Sequence, residues 1–434
     1  MAKNFRYGDV LKDKEYRKLL FSNLINRFGD SIDAIAFSWL AYEITHSASW
    51  AALIFGLNVL PNILVQPLVG PIVEKLDKKR VIVFTHLARA IVITAFALMY
   101  MAGVLTPYIL AAFTLVITTI ESFNLPASGA FIPLVIKKEK LAHAMSFNSS
   151  LSSAVGLVGT GVAGVIIAKF GIQTAMIIDV ATFFAAAVGI LSIKTSAKPV
   201  TVTAVPEVKA HKESYLSMLK DGFKYVAGNR VIINFGIMAI FMNFLLVPLN
   251  SLEAPLADDV FGLGSTLLSV MGMTASLGGI VGSAITPVIM EKFSSKRIVI
   301  TCGIVMGAFM YVLSLGRLLG GAALPGYILV GTCYFMMAFA ASIIGGTVNI
   351  QFVKFCDEQY LARAGAVMGA TSSASVPVGS LIVSAAAIHL SPAVLIGGCG
   401  ILAIVFIIII GICNLDFELV KEEKVDAAIA IGQN

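Results

Sequence analysis

Twelve apolar runs of about twenty residues constrain this chain more than any other feature, because roughly 20 such residues in a helix cross the ~30 Å hydrocarbon core of a bilayer. They fall at about 19–42, 50–73, 81–102, 108–134, 145–168, 172–193, 231–252, 265–290, 298–318, 325–350, 366–388 and 392–413. Lipid offers the backbone no hydrogen-bond partners, so every run is expected as a helix that satisfies its own amides. The alternating pattern of a transmembrane barrel is absent. Composition agrees. Of the 434 residues, 58% are hydrophobic and 13% charged, against about 25% charged in a soluble domain. The sequence therefore predicts an all-α integral membrane protein, with six spans before residue 195 and six after residue 230.

Charge placement sets the expected topology. All but four of the 31 Lys and Arg residues fall in the amino terminus, alternate turns, the central connection and the tail. The exceptions are Arg27, Arg89, Lys169 and Arg317. This asymmetry is the positive-inside pattern. It predicts a multi-pass protein of the plasma (inner) membrane with both termini on the cytoplasmic side. The net charge of +6 then records topology and contact with anionic membrane lipids, not nucleic-acid binding. The five Cys residues have no metal-ligand spacing and read as free thiols. No metal site and no cofactor are expected. Residues 1–18 are too polar for a cleavable signal peptide.

A phrase repeats half a chain apart. Glu74-Lys75-Leu76-Asp77-Lys78-Lys79-Arg80-Val81 returns as Glu291-Lys292-Phe293-Ser294-Ser295-Lys296-Arg297-Ile298, an offset of 217. Ser152-Ser153-Ala154 with Gly159 returns as Ser372-Ser373-Ala374 with Gly379, an offset of 220. Both matched turns lie on the same side of the membrane. An even number of spans per repeat requires that, so the repeats are parallel about an axis along the membrane normal. The expected organisation is an amphipathic segment at 1–18, a six-helix bundle at 19–194, a linker with an amphipathic helix at 195–230, a second bundle at 231–413 and a tail at 414–434.

Twelve spans in two sixes, with a charged second turn reading Gly70-Pro71-Ile72-Val73-Glu74-Lys75-Leu76-Asp77-Lys78-Lys79-Arg80, resemble the major facilitator superfamily. The family's Asp-Arg is here Glu74-Lys75, which keeps the charges. Tyr16-Arg17-Lys18-Leu19-Leu20, Phe28-Gly29-Asp30 and Trp39-Leu40-Ala41-Tyr42-Glu43-Ile44-Thr45-His46-Ser47-Ala48 resemble the opening of its macrolide-efflux and enterobactin-exporter branch. Pro126-Ala127 through Pro133-Leu134-Val135 and Arg363-Ala364-Gly365 through Pro377-Val378-Gly379 resemble the same branch. The resemblance implies a major facilitator fold and assigns Gly70, Glu74, Asp77, Lys78 and Arg80 to a gate that latches the cytoplasmic side. Two departures bear on coupling. Drug antiporters of the superfamily often carry Arg in span four, where this chain has Glu121. Their span-five Gly-Pro is missing here, although Gly156, Gly159, Gly161 and Gly164 remain.

Ionisable groups inside a span are costly and point to function. Arg27, Asp30 and Asp33 stand at i, i+3 and i+6 of span one. Arg27 and Asp30 are spaced to pair, which gives Asp30 a structural reading beside a proton-coupling one. Asp33 lies deeper. A carboxylate binds a proton more readily when dry and releases it when water enters, as a proton-coupled exporter requires. Glu121 reads as a second proton carrier, a counter-charge for a cationic substrate, or a permanently protonated structural group. Arg89 is expected to snorkel to the interface, Asp179 to reach water, and Glu253 to be an outer-vestibule acid or, in the plainer reading, to lie in a solvated loop. From spans that face the cavity in the resembling fold, the substrate-binding candidates are Phe37, Trp39, Asn58, Asn62, Gln66, Phe123, Asn124, Asn243, Phe244, Asn250 and Asn349.

No nucleotide loop and no catalytic constellation is spaced credibly, so an enzyme is not expected. The expected function is a monomeric secondary active transporter, moving an amphipathic organic small molecule outward against proton entry. One alternative is export of a siderophore, metal ion or lysolipid. The other is an uncoupled transporter-like receptor or lipid scramblase.

Overall fold

A computed structural model describes residues 10–136, 138–194, 215–319, 322–357 and 360–412. The expected tail over 414–434, the first nine residues of the amino-terminal segment and the linker over 195–214 lie outside the described residues. The first half comprises α1 (Lys14–Thr45), α2 (Ala48–Leu64), α3 (Gln66–Lys75), α4 (Lys78–Met101), α5 (Pro107–Val135), α6 (Lys138–Phe170) and α7 (Ile172–Leu191). A connecting helix α8 (Tyr215–Gly228) leads to the second half. That half comprises α9 (Arg230–Ser251), α10 (Gly264–Lys292), α11 (Ser295–Ser314), α12 (Ala323–Phe355), α13 (Leu361–Ala386) and α14 (Pro392–Ile412).

Local chemistry explains where the helices start and stop. The Asp13 carboxylate accepts the amides of Glu15 and Tyr16 at 3.0 and 3.3 Å, satisfying donors that α1 cannot. His46 ends α1 at a positive φ of 43°, and Ser47 at once caps α2 by accepting the Trp50 amide. The repeated turn caps the same way twice: the Asp77 side chain accepts the Arg80 amide at the start of α4, and the Ser294 side chain accepts the Arg297 amide at the start of α11.

Ten of these helices are long and apolar enough to span a membrane, and the pair α2–α3 makes an eleventh despite a 46° bend. The bend is where the sequence predicts one straight span. Pro67 has no N–H to offer the Ile63 carbonyl, so the ladder breaks between the two. With 32 residues α1 has length to spare, but Arg27, Asp30 and Asp33 interrupt its apolar character. Counting it gives twelve, a number consistent with the expected two bundles of six spans.

Both lysine-rich turns sit at one end of the molecule, the basic end. At the far end the halves are pressed together. The Gly164 amide of α6 donates to Ser269 Oγ of α10 at 2.6 Å, and Ser269 Oγ donates to the Thr160 carbonyl at 2.7 Å. Ser49 of α2 meets Ser384 of α13 at 3.0 Å, and the Tyr42 hydroxyl donates to Asp259. Small residues allow this approach. A Cβ on Gly164 would lie 2.3 Å from the Ser265 carbonyl oxygen. Gly164→Leu is therefore expected to force α6 and α10 apart and populate an arrangement open at the far end. Spin labels at the far ends of these two helices would read a longer distance. A folded variant with an unchanged distance would refute this account of the seam.

Candidate substrate and proton site

A cavity of about 480 Å3 lies between the halves, walled by α1, α2, α4 and α5, with Asn250, Ser251 and Glu253 contributed by the second half. Successive turns of α1 place Arg27, Asp30, Asp33 and Phe37 along one wall. Ile54, Phe55 and Asn58 of α2 and Ile117 and Glu121 of α5 complete a surface that is apolar with a charged stripe.

Arg89 is the centre of the electrostatics. Its side chain is 5% exposed and its Nη1 lies 3.2 Å from Asp30 Oδ1. The guanidinium also sits 4.1 Å over the Phe183 ring. The other carboxyl oxygen, Asp30 Oδ2, accepts a hydrogen bond of 2.7 Å from Asn26 Nδ2. Asp30, Glu121, Asp33 and Asp179 all lie within electrostatic reach of Arg89. Two expectations are corrected. Arg89 does not snorkel: it stands eleven residues into α4, about 16 Å from the helix start. Nor do Arg27 and Asp30 form the predicted pair. An exposed pair of that spacing contributes only about 0.2–0.5 kcal/mol, whereas a buried guanidinium without a carboxylate is far more costly. Asp30 therefore goes to Arg89, and Arg27 lines the cavity beside α6, where a Cβ on Gly156 would lie 3.0 Å from its guanidinium.

Asp179 is also corrected. It is 1% exposed, and neither carboxyl oxygen has a hydrogen-bond partner among the described residues. The cause is the contact between α1 and α7: a Cβ on Gly29 would lie 2.0 Å from Thr182 Oγ1 and 3.0 Å from Asp179 Oδ1. With no side chain at Gly29, the helices close over the acid. Glu253 is the fourth correction. The chain breaks after α9 into a short helix, Glu253–Pro255, and a π-turn, Leu256–Val260. That break turns Glu253 into the cavity, while Leu252, Leu256 and Ala257 are fully buried around it. The apolar neighbours were the available signal against a solvated loop.

The other candidates divide. Phe37, Asn58, Asn250, Asp33 and Glu121 share the cavity. Asn62 accepts a 3.1 Å bond from Ser122, tying α2 to α5, and Asn124 accepts one of 2.7 Å from Ser128. Trp39 packs near Tyr42, and Phe244 packs against Gly379 of α13. Asn243 bonds back to the Ala239 carbonyl at 2.9 Å and lines a separate pocket of about 190 Å3. Gln66 opens α3 at the bend, Phe123 lines a groove between α4 and α5, and Asn349 is exposed on α12. These lie off the cavity wall.

At the basic end, the turn carrying the gate candidates is fastened within its own half. Lys79 Nζ donates to the carbonyls of Leu191 and Ile193, both at 2.8 Å. Lys78 Nζ donates to the Glu74 carbonyl at 2.5 Å. Arg80 Nε lies 3.8 Å from Asp77. Glu74 is exposed, and Gly70 faces open space. Nearby, Lys18 bonds Glu15 at 2.9 Å and holds that carboxyl below the usual carboxylate range, with the Lys194 amide, 2.6 Å away, adding to the effect.

The family model described as Major Facilitator Superfamily matches residues 19–380. The uncharacterized MFS-type transporter YvqJ of Bacillus subtilis (strain 168) is 23% identical over 429 residues, 98% of this chain and 97% of its own. Macrolide efflux protein A of Streptococcus pyogenes is 22% identical over 79% of this chain and 82% of its own. Among solved structures, the nucleoside transporter NupG superposes with a TM-score of 0.71 at 12% identity, covering 92% of this chain and 98% of that one.

Proposed function

Since the chain belongs to the Major Facilitator Superfamily, we propose that it works as a proton-coupled exporter of an amphipathic organic compound by alternating access. The observation that carries this reading is one cavity with two characters. Phe37, Ile54, Phe55 and Ile117 offer an apolar surface, and Asp30, Asp33, Glu121 and Glu253 offer carboxylates to a protonated amine or to protons themselves. Both halves contribute to it, so rocking one against the other exposes the same site to either side. The similarity to macrolide efflux protein A supports the outward direction.

In this reading the basic end faces the cytoplasm, as the charge asymmetry argues, and the far-end seam makes the present arrangement inward-open. The turn of Gly70, Glu74, Asp77, Lys78 and Arg80 is then the gate in its released state, engaging the second half only when the basic end closes. Asp33 and Glu121 carry the protons, while Phe37, Asn58 and Asn250 contact substrate.

One further observation keeps the siderophore alternative alive: Arg27 presents a guanidinium to the cavity, which suits an anionic substrate. Purified protein in vesicles separates these possibilities. Under proton-coupled export, a pH gradient drives a lipophilic cation out of the compartment that the basic end faces, and collapsing the gradient stops it. Transport indifferent to the gradient would refute coupling. Competition by an anionic chelate, but not by a lipophilic cation, would favour the alternative.

A further inference from the structure

Two grooves outside the central cavity are copies of each other. The first, about 480 Å3, lies between α4 and α5 at the basic end and is lined by Leu76, Arg80, Val81, Phe84, Thr119 and Phe123 among others. The second, about 470 Å3, lies against α11 and α12 and is lined by Phe293, Arg297, Ile298, Thr301, Phe339 and Ile343 among others. The α4 wall maps onto the α11 wall with the offset of 217 that relates the two charged turns: Leu76 falls on Phe293, Arg80 on Arg297, Val81 on Ile298 and Phe84 on Thr301. The α5 wall maps onto the α12 wall with the other offset, 220: Thr119 falls on Phe339 and Phe123 on Ile343. Grooves that recur under both offsets belong to the repeated unit and are not accidents of packing at one place.

Their chemistry is the same as well. Each is an apolar trough with a guanidinium at its mouth, and both volumes fall within the roughly 300–1,000 Å3 of ligand sites. The troughs open outward, away from the seam between the halves. Phe84 is 71% and Phe293 53% exposed, so their rims present hydrocarbon to the bilayer. The Arg80 side chain is 90% exposed, and Arg297 is exposed too. An acyl chain suits the trough, and a phosphodiester suits the planar fork of an arginine, which binds it through two parallel N–H donors. Basic pockets between spans on this side of a membrane favour acidic head groups.

We propose that these grooves are a symmetry-related pair of binding sites for an anionic glycerophospholipid, one molecule per half. The two mouths are not equal. Asp77 caps α4 and lies 3.8 Å from Arg80, so its carboxylate competes with the lipid phosphate. The equivalent residue is Ser294, which caps α11 without charge. The groove of the second half is therefore the tighter site. This assignment stands apart from whatever the central cavity carries.

Native mass spectrometry of the full chain in a neutral detergent tests it, with phosphatidylglycerol and phosphatidylcholine of matched acyl chains as probes. Two phosphatidylglycerol molecules should be retained per chain, with a preference of about fivefold over phosphatidylcholine, whose phosphodiester is the same but whose choline cation cancels the net charge that the arginine attracts. Arg297→Gln should remove the more tightly held molecule. The double variant Arg80→Gln/Arg297→Gln should lower retention to the phosphatidylcholine level. Equal retention of the two lipids by the wild-type chain, or full retention of phosphatidylglycerol by the double variant, overturns the proposal. Should a variant fail to fold, the wild-type thermal midpoint decides. It should rise with phosphatidylglycerol but not with phosphatidylcholine or inorganic phosphate, and an equal rise with either control overturns the assignment.

Discussion

Asp33→Asn is expected to abolish efflux driven by a pH gradient while leaving counterflow at equal pH measurable. Asparagine keeps the size and hydrogen-bonding reach of aspartate but has no proton to release. Asp33 stands on the cavity wall with Glu121, beside the buried Arg89, where the approach of water or substrate changes the cost of a charge. A driven cycle needs a group that is protonated in one arrangement and deprotonated in the other. Exchange of labelled for unlabelled substrate needs only the moving site. The two assays therefore separate coupling from binding, and driven efflux should fall to the level of passive leak. If it survives at the wild-type rate, Asp33 is not the carrier. Glu121→Gln, run in parallel, tells whether the second carboxylate is needed for coupling or serves only as a counter-charge. In that second case substrate affinity should weaken and the gradient dependence persist.

What the sequence made legible follows from the range of each signal. The architecture rests on run length, charge asymmetry and a repeated phrase, all of which act within a few turns or recur in register. The all-α fold with membrane-length helices held, and the two caps Asp77 and Ser294 share one place in the repeat. Arg27, Asp30, Asp33 and Phe37 also came out together on the cavity wall, because helical spacing alone puts them on neighbouring turns. The failures are contacts between helices. Nothing in α4 says that Arg89 faces Asp30 and Phe183 on other helices. Nothing in α7 says that Gly29 lets Asp179 close against α1. The expected span over 50–73 missed the 46° bend at Pro67, and Glu253 was misplaced because a break after α9 redirected the chain. Polar residues such as Asn62 and Asn124 looked like cavity ligands, yet bond to Ser122 and Ser128. In a bilayer an amide must find a partner somewhere, and a neighbouring hydroxyl is usually nearest.

Arg89→Ala is expected to cost about 3–5 kcal/mol of stability, the usual penalty for removing one partner of a buried ion pair. That is a large share of the roughly 5–15 kcal/mol that holds a domain folded. The truncation leaves Asp30 with only the Asn26 bond, removes the cation from above Phe183, and takes the neutralising charge from a cluster that also holds Asp33, Glu121 and Asp179. The variant should give little monodisperse protein and a strongly lowered thermal midpoint in detergent. Arg89→Lys keeps the charge but loses the planar fork and the stacking, so its midpoint should fall between wild type and Arg89→Ala. Adding Asp30→Asn to Arg89→Ala should recover much of the loss, since the charge left unpaired is then gone, and the excess over additivity measures the pair. If the double variant melts no higher than the single one, the Arg89–Asp30 contact does not hold the bundle together. Driven efflux in the recovered double variant carries the argument one step further. Full transport would make the pair purely a brace between α1 and α4, whereas a stable protein that binds but cannot pump would put Arg89 in the cycle that loads and unloads Asp33.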